Sequence, residues 1–84
     1  MTTEDRIRDL IAKELSCSPD QVKLDARFDE DLQADAIDII GLTLALEDEF
    51  GVVITDDEME RMTTVRAAGL LVDQHLAAEA APAA

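Results

Sequence analysis

The stretch Asp35–Gly51, "DAIDIIGLTLALEDEFG", decides how the rest of the chain is read. Asp35 is a helix-capping residue type, and Asp38 stands three positions on, where a capping-box acid returns the bond. From Ile37 the residues Ile40, Leu44 and Phe50 follow a helical face, with Leu42 and Leu46 beside it. Gly51 is the residue type that closes a helix in the left-handed conformation. One capped helix is predicted between Asp35 and Gly51, with an apolar side that needs other helices to pack on.

Those helices can be read outward from it. Toward the N-terminus, Thr3 caps a first helix, with Glu4 and Asp5 in its first turn. Ile7, Leu10, Ile11 and Leu15 form its apolar stripe. Ser18, Pro19 and Gln21 combine a cap, a proline at the first helical position and a capping-box partner. They predict a single turn, followed by an irregular loop from Lys23 to Ala34. Beyond Gly51, "VVIT" is too short to build a sheet without a partner strand and reads as a loop with Ile54 buried. Thr55 caps a short helix that turns Met59 and Met62 inward. Thr63 or Thr64 caps the last helix, striped by Val65, Ala68, Val72 and Leu76. The expected fold is all-α, a small four-helix bundle of three longer helices and one short helix. It occupies residues 1–76, and the Ala-rich stretch 77–84 is expected to be a flexible tail.

Eighty-four residues make one small domain with a modest core. The net charge is −13, and no Lys or Arg lies between Phe28 and Glu60. Such a field repels nucleic acid and anionic membranes and steers basic protein partners. No apolar run approaches the roughly 18 residues of a membrane span, and the N-terminus has no secretion-signal pattern. A lone cysteine, Cys17, excludes an internal disulfide and fits a reducing cytoplasm. His75 stands alone near the end of the last helix and is expected to be exposed or capping. No triad, metal quartet or phosphate-cradling glycine loop is present, so neither an enzyme nor a metal protein is expected. An EF-hand reading of "DEDLQADAIDII" fails at Ala34, where the loop needs glycine, and at Ile40, where it needs glutamate. The chain is expected to be a cytoplasmic monomer.

Three segments, "DLQADAID" (31–38), "ALEDEFGVVITDDE" (45–58) and "MTTVRAA" (62–68), together resemble the free-standing, type II acyl carrier proteins. The resemblance runs from about Glu4 to Leu76. It implies a four-helix bundle that carries acyl chains as thioesters on 4′-phosphopantetheine. In the family that arm is fixed to the serine of an Asp-Ser-Leu motif, and the matching triplet here is Asp35-Ala36-Ile37. Ala36 takes the place of the attachment serine. Arm transfer needs an oxygen nucleophile, and a methyl group offers none. Ser16, Ser18 and Thr43 lie outside the motif and are not replacements.

The resemblance further implies that Asp35, Asp38, Glu47, Asp48, Asp56 and Asp57 face basic patches on partner enzymes. Those partners are acyl-transfer, condensing or other lipid-synthesis enzymes and a phosphopantetheinyl transferase. It implies an acyl pocket at Leu46, Ile54, Met59, Met62, Ala68 and Val72, residues that by spacing alone are ordinary core. The expected function is therefore a carrier scaffold for fatty-acid or specialised lipid synthesis, in an unmodifiable, apo-like form. Two alternatives stay open: an arm-less interaction or regulatory protein using its acidic second helix, and a peptidyl or aminoacyl carrier. The chain departs from the family at Gln33, where glycine is usual, at Gly41, where an acid is frequent, and at Gly69, which replaces a large aliphatic.

Overall fold

The computed structural model describes residues 2–80, with side chains through residue 78. Four helices follow in order: α1 (Thr3–Glu14), α2 (Ala36–Phe50), α3 (Asp56–Arg61) and α4 (Val65–Ala80), with a 3-10 turn at Pro19–Gln21 after α1. The bundle is all-α, as the periodicity predicts.

Capping chemistry sets most of the boundaries. Asp35 and Asp38 form a reciprocal box at the start of α2: the Asp38 N–H donates to Asp35 Oδ1 (2.9 Å) and the Asp35 N–H to Asp38 Oδ2 (3.2 Å). Gly51 ends α2 at φ +66°, the left-handed conformation that glycine adopts without strain. Thr55 and Glu58 box α3 in the same way, and Ser18 and Gln21 box the 3-10 turn. The first helix corrects one expectation. Its cap is Thr2, not Thr3, because Asp5 lies three residues beyond Thr2 and returns the bond to the Thr2 N–H. At α4, Thr64 Oγ1 accepts the Ala67 N–H (3.1 Å).

Ile7, Ile11, Leu42, Leu46, Val65, Ala68 and Val72 make a closed core joining α1, α2 and α4. Val22, Phe28, Val52, Ile54 and Met62 close it from the loops. The stripes expected for α1 and α4 point inward, but the face expected for α2 does not. Ile37, Ile40 and Leu44 are 78%, 48% and 60% exposed, and the buried face carries Leu42, Thr43 and Leu46. Because α2 is apolar almost all round, its periodicity does not select a face. The buried Thr43 hydroxyl is satisfied by donating to the Ile39 carbonyl (2.8 Å).

The long loop before α2 is stitched rather than loose. Arg27 pairs with Thr64 as an isolated antiparallel bridge. Around it the Phe28 N–H donates to Thr63 O, Val65 N–H to Ala26 O and Arg66 N–H to Leu24 O, all within 3.1 Å. These bonds fix Phe28 and Ala34 beside the start of α2. At the other end, α4 continues to Ala80, so residues 77–80 of the stretch read as a tail are helical, while 81–84 lie outside the described residues.

Candidate functional site

Ala36 is the first residue of α2 and is exposed. The Asp35 side chain takes the Asp38 N–H, leaving the N–H groups of Ala36 and Ile37 with no acceptor among the described residues. Two free donors and the positive end of a 15-residue helix favour an anion beside Ala36. The side chain itself is a methyl group with no oxygen to offer.

A cleft of about 280 Å³ opens from the same point. Ala36, Ile39 and Ile40 line it from α2, Met59 and Met62 from α3 and its end, and Phe28 and Ala34 from the loop. Asp29, Glu60 and Thr63 complete the lining. The Arg27 guanidinium hydrogen-bonds Asp29 (3.2 and 3.3 Å) and holds its carboxyl below the usual range, so that charge is partly answered.

The residues expected to form an acyl pocket divide between two places. Met59 lines the cleft, Met62 belongs to both the cleft wall and the core, and Leu46, Ile54, Ala68 and Val72 belong to the closed core alone. Ile39 and Ile40 were not in the expected set. Their signal was their position, three and four residues after Ala36 and so one helical turn along. Phe28 and Ala34 reach the cleft through the folding of the loop, which spacing does not encode.

The acids also differ among themselves. Asp35, Asp48, Asp56 and Asp57 are exposed and Asp38 is half-buried. Asp56 and Asp57 stand in the first turn of α3, where the helix dipole favours them. Glu47 has an internal partner instead: its Oε2 accepts the Ile54 N–H at 2.8 Å and ties the loop after α2 back to the helix. Outside this cluster, Cys17 is a free, half-buried thiol packed against the core. No group of three or more His, Cys, Asp or Glu among the described residues is arranged to hold a metal. No helix among them is long and apolar enough to cross a membrane.

The model of the family "phosphopantetheine attachment site" matches residues 5–71. The acyl carrier protein of Zymomonas mobilis subsp. mobilis is 44% identical over 75 residues, 89% of this chain and 96% of that protein. The chain belongs to the acyl carrier protein family. The acyl carrier protein of Petrotoga mobilis is 42% identical over 72 residues, 86% of this chain and 85% of that one. The solved structure of the acyl carrier protein from Enterococcus faecalis superposes with a TM-score of 0.73 at 32% identity, covering 87% of this chain and 92% of that one. Family membership makes the chain a non-catalytic carrier with a phosphopantetheine attachment domain.

For an acyl carrier protein the loop at residue 33 is informative. Gln33 has φ +55°, the left-handed conformation that glycine adopts without strain, and holds it with a side chain.

Proposed function

We propose that this chain is the scaffold of a type II carrier for fatty-acid or specialised lipid synthesis, held in an apo-like form because Ala36 offers no hydroxyl to 4′-phosphopantetheine. The observation that carries the reading is the position of Ala36. It is exposed at the N-terminus of α2, beside two free N–H donors and on the rim of an apolar cleft. The surroundings fit a phosphate and an apolar chain, but the residue does not fit the covalent bond. No arm-borne step is therefore assigned to the chain as it stands.

Its partners in this reading are the basic surfaces of acyl-transfer, condensing or other lipid-synthesis enzymes and of a phosphopantetheinyl transferase, met in the cytoplasm by a monomer. Asp35, Asp38, Asp48, Asp56 and Asp57 supply the electrostatic attraction. The exposed ridge of Ile37, Ile40 and Leu44 supplies apolar contact between them. Glu47 is assigned a smaller share, because its carboxylate is occupied.

The same ridge supports a second reading, an arm-less interaction protein that uses the α2 face alone. A peptidyl or aminoacyl carrier is disfavoured by the acid density of "ALEDEF" and "TDDE". Competition separates the carrier reading from a chain without carrier partners. The chain should inhibit arm transfer to another type II carrier by occupying the transferase, and inhibition should fall steeply between roughly 50 mM and 500 mM salt. No inhibition at low salt, or inhibition indifferent to salt, overturns the assignment of partners.

A further inference from the structure

The chain's one histidine has a partner that its place in the sequence conceals. His75 Nε2 on α4 lies 2.9 Å from Glu58 Oε2 on α3, and the two side chains are only 23% and 19% exposed. The other oxygen of the same carboxylate, Oε1, accepts both the N–H (3.0 Å) and the hydroxyl (3.1 Å) of Thr55. One carboxylate thus caps α3 and ties it to α4.

That tie matters because α3 has few others. It is six residues long and contains no fully buried residue, and a helix of that length is not stable by itself. Ile54 and Met62 anchor the chain on either side of it. Between them, His75–Glu58 is the only side-chain hydrogen bond from α3 to another helix among the described residues. Through Met59 and Glu60, α3 forms one wall of the cleft beside Ala36.

We propose that His75 and Glu58 form a charge-dependent latch that holds α3 against α4 and sets how far the cleft between α2 and α3 opens. With the imidazole protonated, Nε2–H donates to the carboxylate as a charge-assisted bond, the strong kind. When the imidazole loses its proton the bond becomes weaker or is lost. Histidine is the side chain whose charge changes within the physiological pH range. The Thr55 donors, and then His75, hold the Glu58 carboxyl below its usual value, so the carboxylate stays charged throughout that change. The latch is closed on the acid side and eased on the alkaline side.

The other charges around the imidazole do not replace it. On α3, Arg61 lines the groove that also contains Glu58 and Gln74. On α1, Glu4 lines a different groove with Asp73 of α4. From α2, Glu47 is bound to the Ile54 N–H. None of these bonds to His75 among the described residues. Once the His75 cation is lost, Asp56, Asp57, Glu58 and Glu60 leave α3 strongly acidic against a single arginine, in a chain of net charge −13. Their repulsion from the rest of the molecule then favours release.

Methyl NMR of Met59 and Met62 tests it, recorded from pH 5 to 8.5 alongside the His75 ring proton. In the unsubstituted chain both methyl signals should move with the midpoint of the His75 titration. Amide exchange in α3, corrected for its intrinsic pH dependence, should rise on the order of fivefold across that midpoint, as loss of one charge-assisted bond allows. In His75→Gln the methyl signals should be flat over the same range. In His75→Lys, which keeps a cation at every pH used and remains interpretable if the glutamine variant unfolds, they should hold the low-pH position. Methyl signals that ignore the His75 midpoint, or that titrate equally in His75→Lys, overturn the latch.

Discussion

Replacing Glu47 with alanine should destabilise the fold far more than the same change at Asp48, although both belong to one acidic run. Glu47 Oε2 accepts the Ile54 N–H at 2.8 Å, and Ile54 is 8% exposed. Removing the acceptor strands a backbone donor where water reaches it poorly and frees the loop that carries Val52 and Ile54 into the core. A hydrogen bond to a charged group, together with the unsatisfied donor left behind, is worth about 2 kcal/mol. For a domain of this size that corresponds to a fall in Tm of roughly 8 to 16 °C. Asp48 is exposed and has no hydrogen-bond or ion-pair partner among the described residues, so Asp48→Ala should stay within about 0.5 kcal/mol of the parent. Glu47→Gln keeps an acceptor oxygen and should fall between the two. Urea unfolding of the three variants, fitted with a common slope, measures the differences directly. If Glu47→Ala and Asp48→Ala lose the same stability, the Glu47–Ile54 bond does not do what its geometry implies.

Four further outcomes follow from particular contacts. Gly41→Ala and Gly69→Ala should each stabilise the fold by up to about 1 kcal/mol in thermal unfolding. A methyl at either place meets its nearest neighbour, Glu14 Oε2 or Ile7 Cδ1, no closer than 3.9 Å. Gly51→Ala should instead cost about 1 kcal/mol, since φ is +66° there, and urea unfolding reads the loss. At Gln33, with φ +55°, exchange for glycine should be nearly neutral, whereas Gln33→Val should lose about 1–2 kcal/mol by the same measurement. Asp5, Asp29 and Glu58 all have lowered folded-state carboxyl values, through the Thr2 donors, the Arg27 hydrogen bond and the Thr55 donors respectively. Their stabilisation is present above their ordinary values of 3.8 to 4.5 and is lost as the pH falls through the lower, folded ones. Circular dichroism melts should therefore show stability falling below about pH 4.

Much of the fold could be read locally because its boundaries are set by local bonds. Asp35 with Asp38, Ser18 with Gln21 and Thr55 with Glu58 each lie three residues apart and cap as their spacing requires. Thr2 and Thr3 are both residue types that cap, and the reciprocal bond with Asp5 selects Thr2. The inward face of α2 was not legible, because apolar residues surround that helix and only the positions of α1 and α4 decide which are covered. Of the site, Ala36 and its cap were legible from the motif. The inward turn of Glu47, the contribution of Phe28 to the cleft and the pairing of His75 with Glu58 were not. Each depends on residues brought together from separate segments, the last of them 17 positions apart.

Ala36→Ser should turn the chain into an acceptor of the arm, and intact mass reads that gain. This chain and Ala36→Ser would each be incubated with coenzyme A and a promiscuous phosphopantetheinyl transferase, then weighed. The serine variant should gain one phosphopantetheine and the alanine chain none. A serine variant that stays unmodified while folded contradicts that expectation, as does an alanine chain that takes up the arm at another residue.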